Sequence, residues 1–281
     1  MAVAQTLGLR INITYFSALV IVLSLPTGSF ARAQGNLSSE EIVRSVVSAE
    51  QNASRWKPPF IYTCIEQSER TNGHIWKEQV ADISQGRLRY LVAEDGHPLT
   101  VDQRNEEIAR LKSIAANPNP FIRHEQARQN DERHAQQMLD ILPRAFVFEK
   151  PVSEGNWIRI NYKPNPNYIP QTFEERALHG MAGTLLVDAR TRRLHQLSGQ
   201  LVDDVTYGFG IFGTLHRGST FTTTRDLVAP NVWKTISLDT RIDGRIAFLK
   251  AITRNQHSVH QDFHLLSPET SIMQAVDLLT R

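Results

Sequence analysis

The sequence predicts a mainly β protein of the α+β class, built on one large, curved antiparallel sheet with a few helices. Apolar and polar residues alternate over many short segments after residue 59, which is typical of strands with one buried face. The dipeptides Asn72-Gly73 and Asp243-Gly244 separate pairs of these segments and predict tight hairpin turns. Helical periodicity is confined to a few stretches. A sheet this long is expected to curl, and its concave face must be covered.

The first 33 residues have the features of a secretory signal. Arg10 supplies a positive charge, residues 15–25 form a mostly apolar run, and residues 31–33 read Ala-Arg-Ala, a pattern that signal peptidase cuts. The apolar run is too short to span a bilayer as a helix, although an uncleaved anchor is the alternative. We therefore expect cleavage near Ala33 and a periplasmic or secreted protein.

The charge, the hydropathy and the single cysteine of the chain exclude several classes of partner and of attachment to a membrane. Arg10 and Arg32 account for the whole formal net charge of +2, so the processed chain is neutral, which argues against nucleic acid as a partner. Beyond the signal, no apolar stretch is long enough for a transmembrane segment. Cys64 is the single cysteine, so it forms no internal disulfide, and it lies far from the cleavage point where a lipid anchor would be attached. We interpret it as a buried strand thiol.

The processed chain begins with a predicted amphipathic helix. Ser38 and Glu41 have the spacing of a capping box, and apolar residues recur on one face at Ile42, Val43, Val46 and Val47. Strands are then predicted over residues 60–70 and 75–83, on either side of Asn72-Gly73, and around residues 88–92, ending at Asp95-Gly96.

A charged helical insertion is predicted over about residues 102–141. One apolar stripe is followed by Pro118 and Pro120, which are expected to break the helix, and a second, very polar helix follows. We interpret its charged residues as a solvated surface with ion pairs three or four residues apart.

The remainder of the chain returns to strand periodicity. Strands are predicted over residues 145–149 and 157–162, followed by a proline-rich loop at 163–170. Long strands begin at about residue 183, and Asp243-Gly244 is predicted to join residues 233–241 with 246–254 in a hairpin.

The recognisable motifs favour no enzyme and no cofactor. The glycines of residues 208–213 have the spacing of a dinucleotide-binding fingerprint, but no helix can follow them, so a bent β connection is predicted. Of His257, His260 and His264, only the last two could share a strand face, and no ligand set is complete unless Asp262 joins them, so no metal site is predicted. No acid–base pair or serine elbow is present, although a hydrolase assembled from scattered His and Asp residues remains an alternative.

Several segments of the chain resemble one family of exported bacterial proteins. Residues 183–188 (GTLLVD), 194–201 and 204–213 (DVTYGFGIFG), with further similarity at 232–233 and 243–245, are similar to the LolA/LolB-like superfamily of lipoprotein-localisation factors. The resemblance implies an incomplete β-barrel whose concave face is covered by helices and encloses a cavity for acyl chains. The chain departs from the classical carriers in the insertion at 102–141 and in the loop at 163–170.

We therefore interpret residues 34–281 as a single half-barrel domain and expect a non-enzymatic periplasmic carrier or binder of lipid or acylated lipoprotein. The alternative is an envelope structural or interaction protein, with a protein partner, whose core is filled by its own helices. The predicted residues of the ligand cavity are apolar side chains of the later strands, namely Leu197, Leu201, Val205, Phe209, Phe212, Phe221 and Phe248.

Overall fold

The predicted fold class is confirmed. A computed structural model describes residues 37–207, 213–246 and 250–281, which form one antiparallel sheet of 14 strands, not closed into a barrel, with six α-helices. The predicted signal at residues 1–33 lies outside the described residues.

Eleven strands form the main path of the sheet and three short strands lie beside it. In chain order the strands are β1 (Phe60–Gln67), β2 (Ile75–Ile83), β3 (Gly86–Glu94), β4 (His97–Pro98), β5 (Phe146–Phe148), β6 (Val152–Glu154), β7 (Trp157–Pro164), β8 (Met181–Asp188), β9 (Leu194–Leu201), β10 (Val205–Tyr207), β11 (Gly213–Leu215), β12 (Thr220–Ala229), β13 (Val232–Ile246) and β14 (Lys250–Leu265). The spatial order is β4-β3-β2-β1-β14-β13-β12-β9-β8-β7-β5, while β6 pairs with β7 and β11 pairs with β10 and β13.

The helices flank these strands. They are α1 (Ser39–Ser54), α2 (Val101–Ala116), α3 (Asn119–Gln137), α4 (Leu142–Ala145), α5 (Phe173–His179) and α6 (Ile272–Leu279), with 3₁₀ turns at Glu69–Thr71 and Met138–Ile141. The capping box predicted for α1 is present, because the Ser38 hydroxyl accepts from the Glu41 amide and the Glu41 carboxylate accepts from the Ser38 amide. Local sequence thus sets where α1 begins.

Two helices, α2 and α3, lie in the segment 102–141 for which helical structure is predicted, with one difference in detail. Pro118 separates α2 from α3 as predicted, but Pro120 lies in the first turn of α3 and does not break it. A proline in the first helical turn removes an amide that has no intrahelical acceptor, so it is tolerated there.

The first hairpin and the proline-rich loop also follow the prediction in outline. Asn72 and Gly73 both have positive φ, at 52° and 83°, but β1 ends at Gln67 and a 3₁₀ turn replaces the end of the predicted strand. After the loop, the chain forms α5, a short helix that was not predicted, whose first turn is capped by the Thr172 hydroxyl.

The hairpin turn predicted at Asp243-Gly244 is wrong. β13 continues through both residues, which pair with Thr253 and Ile252 of β14. Gly244 also pairs with Leu215 of β11, and a Cβ on Gly244 would lie 2.5 Å from the Thr214 carbonyl oxygen. The glycine is therefore explained by close backbone approach within the sheet, not by a turn.

Directly paired residues of an antiparallel sheet point to the same face, so the register shows which side chains lie together. Leu197 is paired with Leu185, which is paired with Ile160, and in the other direction with Thr223 of β12. Helix α1 packs on this face, which we call the α1 face. Continuing through β13 and β14, the same face includes Cys64 of β1.

The opposite face, which we call the α6 face, is covered at the other end of the sheet. Ala81 and Ile83 of β2 alternate with Val80 and point away from the α1 face. They pack with Leu88 of β3 and Leu111 of α2, and with the apolar side of α6. The layers under α1 and α6 therefore lie on opposite faces of the sheet, and at the α6 end Phe60, Tyr62 and Val80 form a further buried cluster on the α1 face.

Candidate functional site

The most extensive apolar layer lies on the α1 face of β5, β7, β8 and β9. Ile160, Leu185 and Leu197 form a row across three strands, and Ile160 and Leu185 are almost fully buried. Around this row lie the other buried strand residues of the layer, Phe146, Phe148, Tyr162, Val187 and Leu194. The period-two alternation of these strands places most of these side chains on one side. Leu194 joins them although it is three residues from Leu197, because the pairing of β8 with β9 shifts register between Leu186 and Val187.

Helix α1 covers this layer with one apolar stripe. Ile42, Val43 and Val46 are buried against the strand residues, and Ile141, Leu142 and Ala145 fill the adjoining region from the end of the insertion. The contact between helix and sheet is thus apolar and non-directional, and it is stabilised by removing both surfaces from water.

Polar contacts hold α1 near its two ends. Near its C-terminal end, the Glu50 carboxylate is buried and accepts hydrogen bonds from Arg193 Nε at 2.8 Å, from the Leu194 amide at 3.0 Å, and from Arg225. Near its start, the Ser39 hydroxyl donates to the Glu149 carbonyl. The hydrogen bonds and ion pairs of Ser39 and Glu50 therefore lie at the edges of the apolar layer, near the two ends of α1.

The charge of Glu50 is stabilised in place. Burial alone would raise the pKa of this carboxyl group, but the hydrogen bonds and positive charges of Arg193 and Arg225 outweigh that effect and lower the pKa below its ordinary value. Glu50 is therefore ionised at neutral pH, and it bridges α1 to β9 and β12.

The predicted cavity residues fall in three groups. Leu197 is buried in the apolar layer, and Phe221 of β12 is half-buried against it. Leu201 is fully buried and Val205 half-buried, and both approach Gly180, since a Cβ there would lie 2.9 Å and 3.0 Å from their methyl groups. Phe209, Phe212 and Phe248 lie outside the described residues.

Sequence reasoning did not select the residues that make up most of the layer. Ile160 and Tyr162 lie in a strand that was predicted, and their alternation with Arg159 and Asn161 was visible in the sequence. The alternation identifies a buried face of β7, but it does not show that α1 covers this face, because α1 lies about 100 residues earlier in the chain.

A second cluster on the same face combines buried charges with Cys64. Glu78 accepts from Arg70 Nη2 and from Arg89 Nη1, both at 2.7 Å, and Glu66 accepts from Arg70 Nη2 at 2.8 Å. Arg89 Nη1 also lies 3.8 Å from Cys64 Sγ. Burial raises the pKa of the Cys64 thiol, which opposes its use as a nucleophile.

Two groups of side chains have spacings that a metal ion could use. Ligand atoms of Cys64, Glu66 and Glu78 lie within 4.8 Å of one another, as do those of the exposed set His74, Glu94 and Asp95. In the buried set, both carboxylates are already bound by Arg70 and Arg89. Two guanidinium groups therefore take the place that a cation would occupy, and the arrangement is that of an ion-pair network.

The expectation that His260 and His264 share a face is wrong. His260 pairs with Cys64 whereas His264 pairs with Ile61, and these β1 residues point to opposite faces. The cause is a register shift near Asp262, which has a φ of 57°. His260 is half-buried, and its Nδ1 donates to the Thr235 carbonyl oxygen at 3.0 Å. Burial lowers the pKa of its imidazole.

No protein family model, curated protein or solved structure matches the chain. Among the residues described, none of the helices is both long and apolar enough to cross a membrane.

Proposed function

We propose that this protein is an exported, non-enzymatic carrier or binder of acyl chains from a lipid or an acylated lipoprotein. The observation that supports it best is the continuous apolar layer on one face of an open sheet, covered by the amphipathic helix α1. An acyl chain would lie between α1 and the row formed by Ile160, Leu185 and Leu197.

The apolar contacts between α1 and the sheet can be replaced by contacts with an acyl chain. Contacts between α1 and the sheet have no directional requirement, so the methylenes of a ligand can replace the contacts of Val43 and Val46. Each methylene removed from water contributes about 0.8 kcal/mol, so one chain supplies useful affinity. The helix must move for this to happen, and the Glu50 ion pairs are the polar contacts that resist the movement.

Two features of the sequence support the same proposal. The signal-like residues 1–33 favour export to the periplasm or beyond, where lipoprotein carriers act. The similarity of residues 183–213 to the LolA/LolB-like superfamily favours an acyl-chain ligand.

Native mass spectrometry of protein extracted from its host membrane fraction tests the proposal directly. We expect a co-purifying mass of one lipid or acyl chain, and saturable binding of a fluorescent fatty acid to the delipidated protein. Glu50→Gln removes the charge that holds α1, so it should speed fatty-acid uptake several-fold. Glu40→Gln is the matched control, because Glu40 is an exposed carboxylate on the same helix. Protein that carries no lipid and binds no fatty acid contradicts the proposal.

A second candidate is an envelope interaction protein without a ligand. The observation that favours it is the completeness of packing, since Val43, Ile160 and Leu185 are already at 0%, 0% and 1% exposure within the protein itself. Absence of lipid in the mass spectra, together with no saturable fatty-acid binding by either wild type or Glu50→Gln, would select this candidate.

A further inference from the structure

A polar groove of about 840 Å³ lies on the face opposite the acyl site proposed above. Its floor is formed by β12, β13 and β14, and its wall by the end of β1 and the turn that follows. Asp239 and His257 alternate with Leu238 and Ser258, which point to the α1 face, so the floor belongs to the α6 face. With the exception of Gly73, the residues that line the groove are polar. The side chains of its floor are those of Thr220, Thr222, Asp239, Arg241, Thr253, Asn255 and His257, and its wall is formed by Gln67, Ser68, Glu69 and Asn72. Thr240 and Gln256 also border the groove, but they alternate with the floor residues, so their side chains point to the α1 face.

The floor consists of two rows of hydrogen-bonding side chains that run across the strands. Thr222 is paired with Asp239, Asp239 with His257, and His257 with Gln67. In the neighbouring row, Thr220 is paired with Arg241, and Arg241 with Asn255. Because adjacent strands lie about 4.8 Å apart, each row presents a polar group roughly every 5 Å.

Charges in and beside the groove are largely compensated by one another. His257 Nδ1 lies 2.5 Å from an Asp239 carboxylate oxygen. Beside the groove, Arg254 Nε lies 3.6 Å from Glu69 Oε2. Arg241 adds one further positive charge to the lining. The groove therefore has no dense charge of one sign, of the kind that would select a polyanion.

Several groups in the floor are available to a ligand. Among the residues described, the amide of Asn255 and the hydroxyls of Thr220 and Thr222 hydrogen-bond to no other protein group. An apolar ligand would desolvate these groups without replacing their hydrogen bonds, at a cost in free energy. A ligand with hydroxyls at similar intervals would hydrogen-bond to them.

We infer that this groove is a second binding site, for an uncharged, polyhydroxylated ligand of the oligosaccharide class. Its volume falls within the range of about 300–1,000 Å³ that is common for ligand sites. The inference is independent of the acyl-chain function, because the two sites lie on opposite faces of the sheet.

Backbone amide NMR shifts of the purified protein, titrated with maltotriose and with chitotriose as uncharged probes, test this inference. We expect saturable shifts from at least one probe, confined to the floor residues 220–222, 239–241 and 253–257 and to the wall residues 67–69 and 72–73. The double variant Thr222→Val with Asn255→Ala removes one group from each row and should weaken binding by about tenfold or more. Thr224→Val is the matched control, because Thr224 is on the same strand and the same face but outside the groove, and it should bind as wild type.

Three outcomes would overturn the inference. One is the absence of saturable shifts from both probes at about 10 mM, a concentration that detects even weak binding. Another is unchanged affinity in the double variant while its spectrum shows the native fold. The third is tighter binding of trigalacturonate than of the uncharged probes, which would assign the groove to an anionic ligand.

Discussion

Arg193 Nε lies 2.8 Å from a carboxylate oxygen of Glu50, two residues that are 143 positions apart in the sequence. The contact joins α1, the first described helix, to the residue that directly precedes β9. Arg225 reaches the other oxygen of the same carboxylate. The position of α1 over the apolar layer therefore depends on long-range charge pairing as well as on its apolar stripe.

Removing the Glu50 carboxylate should destabilise the protein. Glu50→Ala leaves Arg193, which is 8% exposed, without its partner, and breaking a buried ion pair in this way costs about 3–5 kcal/mol. Urea denaturation followed by far-UV circular dichroism measures the change in the free energy of unfolding. Glu40→Ala should change it by less than about 0.5 kcal/mol. Equal midpoints for the two variants would contradict this prediction.

The Glu50 carboxylate should also make the free energy of unfolding depend on pH in the acidic range. The pKa of Glu50 is lower in the folded protein than the unfolded value of 4.5, so its stabilisation is fully present above that value. It is lost as the pH falls through the folded pKa, because the unfolded chain then binds the proton more readily. We expect the free energy of unfolding to fall as the pH drops below about 4.5, and to fall less in Glu50→Gln, as measured by urea titrations at each pH. Parallel pH curves would show that Glu50 does not contribute.

Cys64 should be protected from thiol reagents in the folded protein. Its side chain is fully buried, and burial raises the pKa of the thiol, so access and thiolate content are both low. Reaction with Ellman's reagent at pH 8 should be slower by at least about a hundredfold in buffer than in concentrated urea. Equal rates would place the thiol at the surface.

Truncation within the apolar layer should be costly. Leu185→Ala removes a side chain that is 1% exposed and leaves a cavity, with an expected loss of about 2–5 kcal/mol. Leu227→Ala is the control, because Leu227 is 49% exposed on β12 and should change stability by less than about 0.5 kcal/mol. Thermal unfolding of the two variants distinguishes the sites.

The predictions that rest on local sequence agree with the structure. The capping box of Ser38 and Glu41 and the apolar stripe of α1 involve residues within one or two turns, so the sequence is sufficient to locate the helix. The positive φ angles of Asn72 and Asp95 likewise follow from turn chemistry within a few residues.

The predictions that fail depend on contacts between distant segments. Gly244 resembles a turn residue in sequence, but it is required where β11 approaches β13. His260 and His264 lie on opposite faces because the pairing of β1 with β14 is irregular between them. The sequence of β14 by itself does not reveal this irregularity. For the same reason, alternation around Ile160 predicts a buried face but not that α1 covers it.

The burial of apolar layers on opposite faces has a consequence for how the molecule folds. The strands β13 and β14 lie between the two ends of the sheet. Their register therefore determines which face each side chain at one end shares with the side chains at the other end. A slip of one residue between them would leave each end internally intact but would turn one layer toward the wrong side relative to the other. The register of this one strand pair therefore determines on which side of the sheet each apolar layer lies relative to the other.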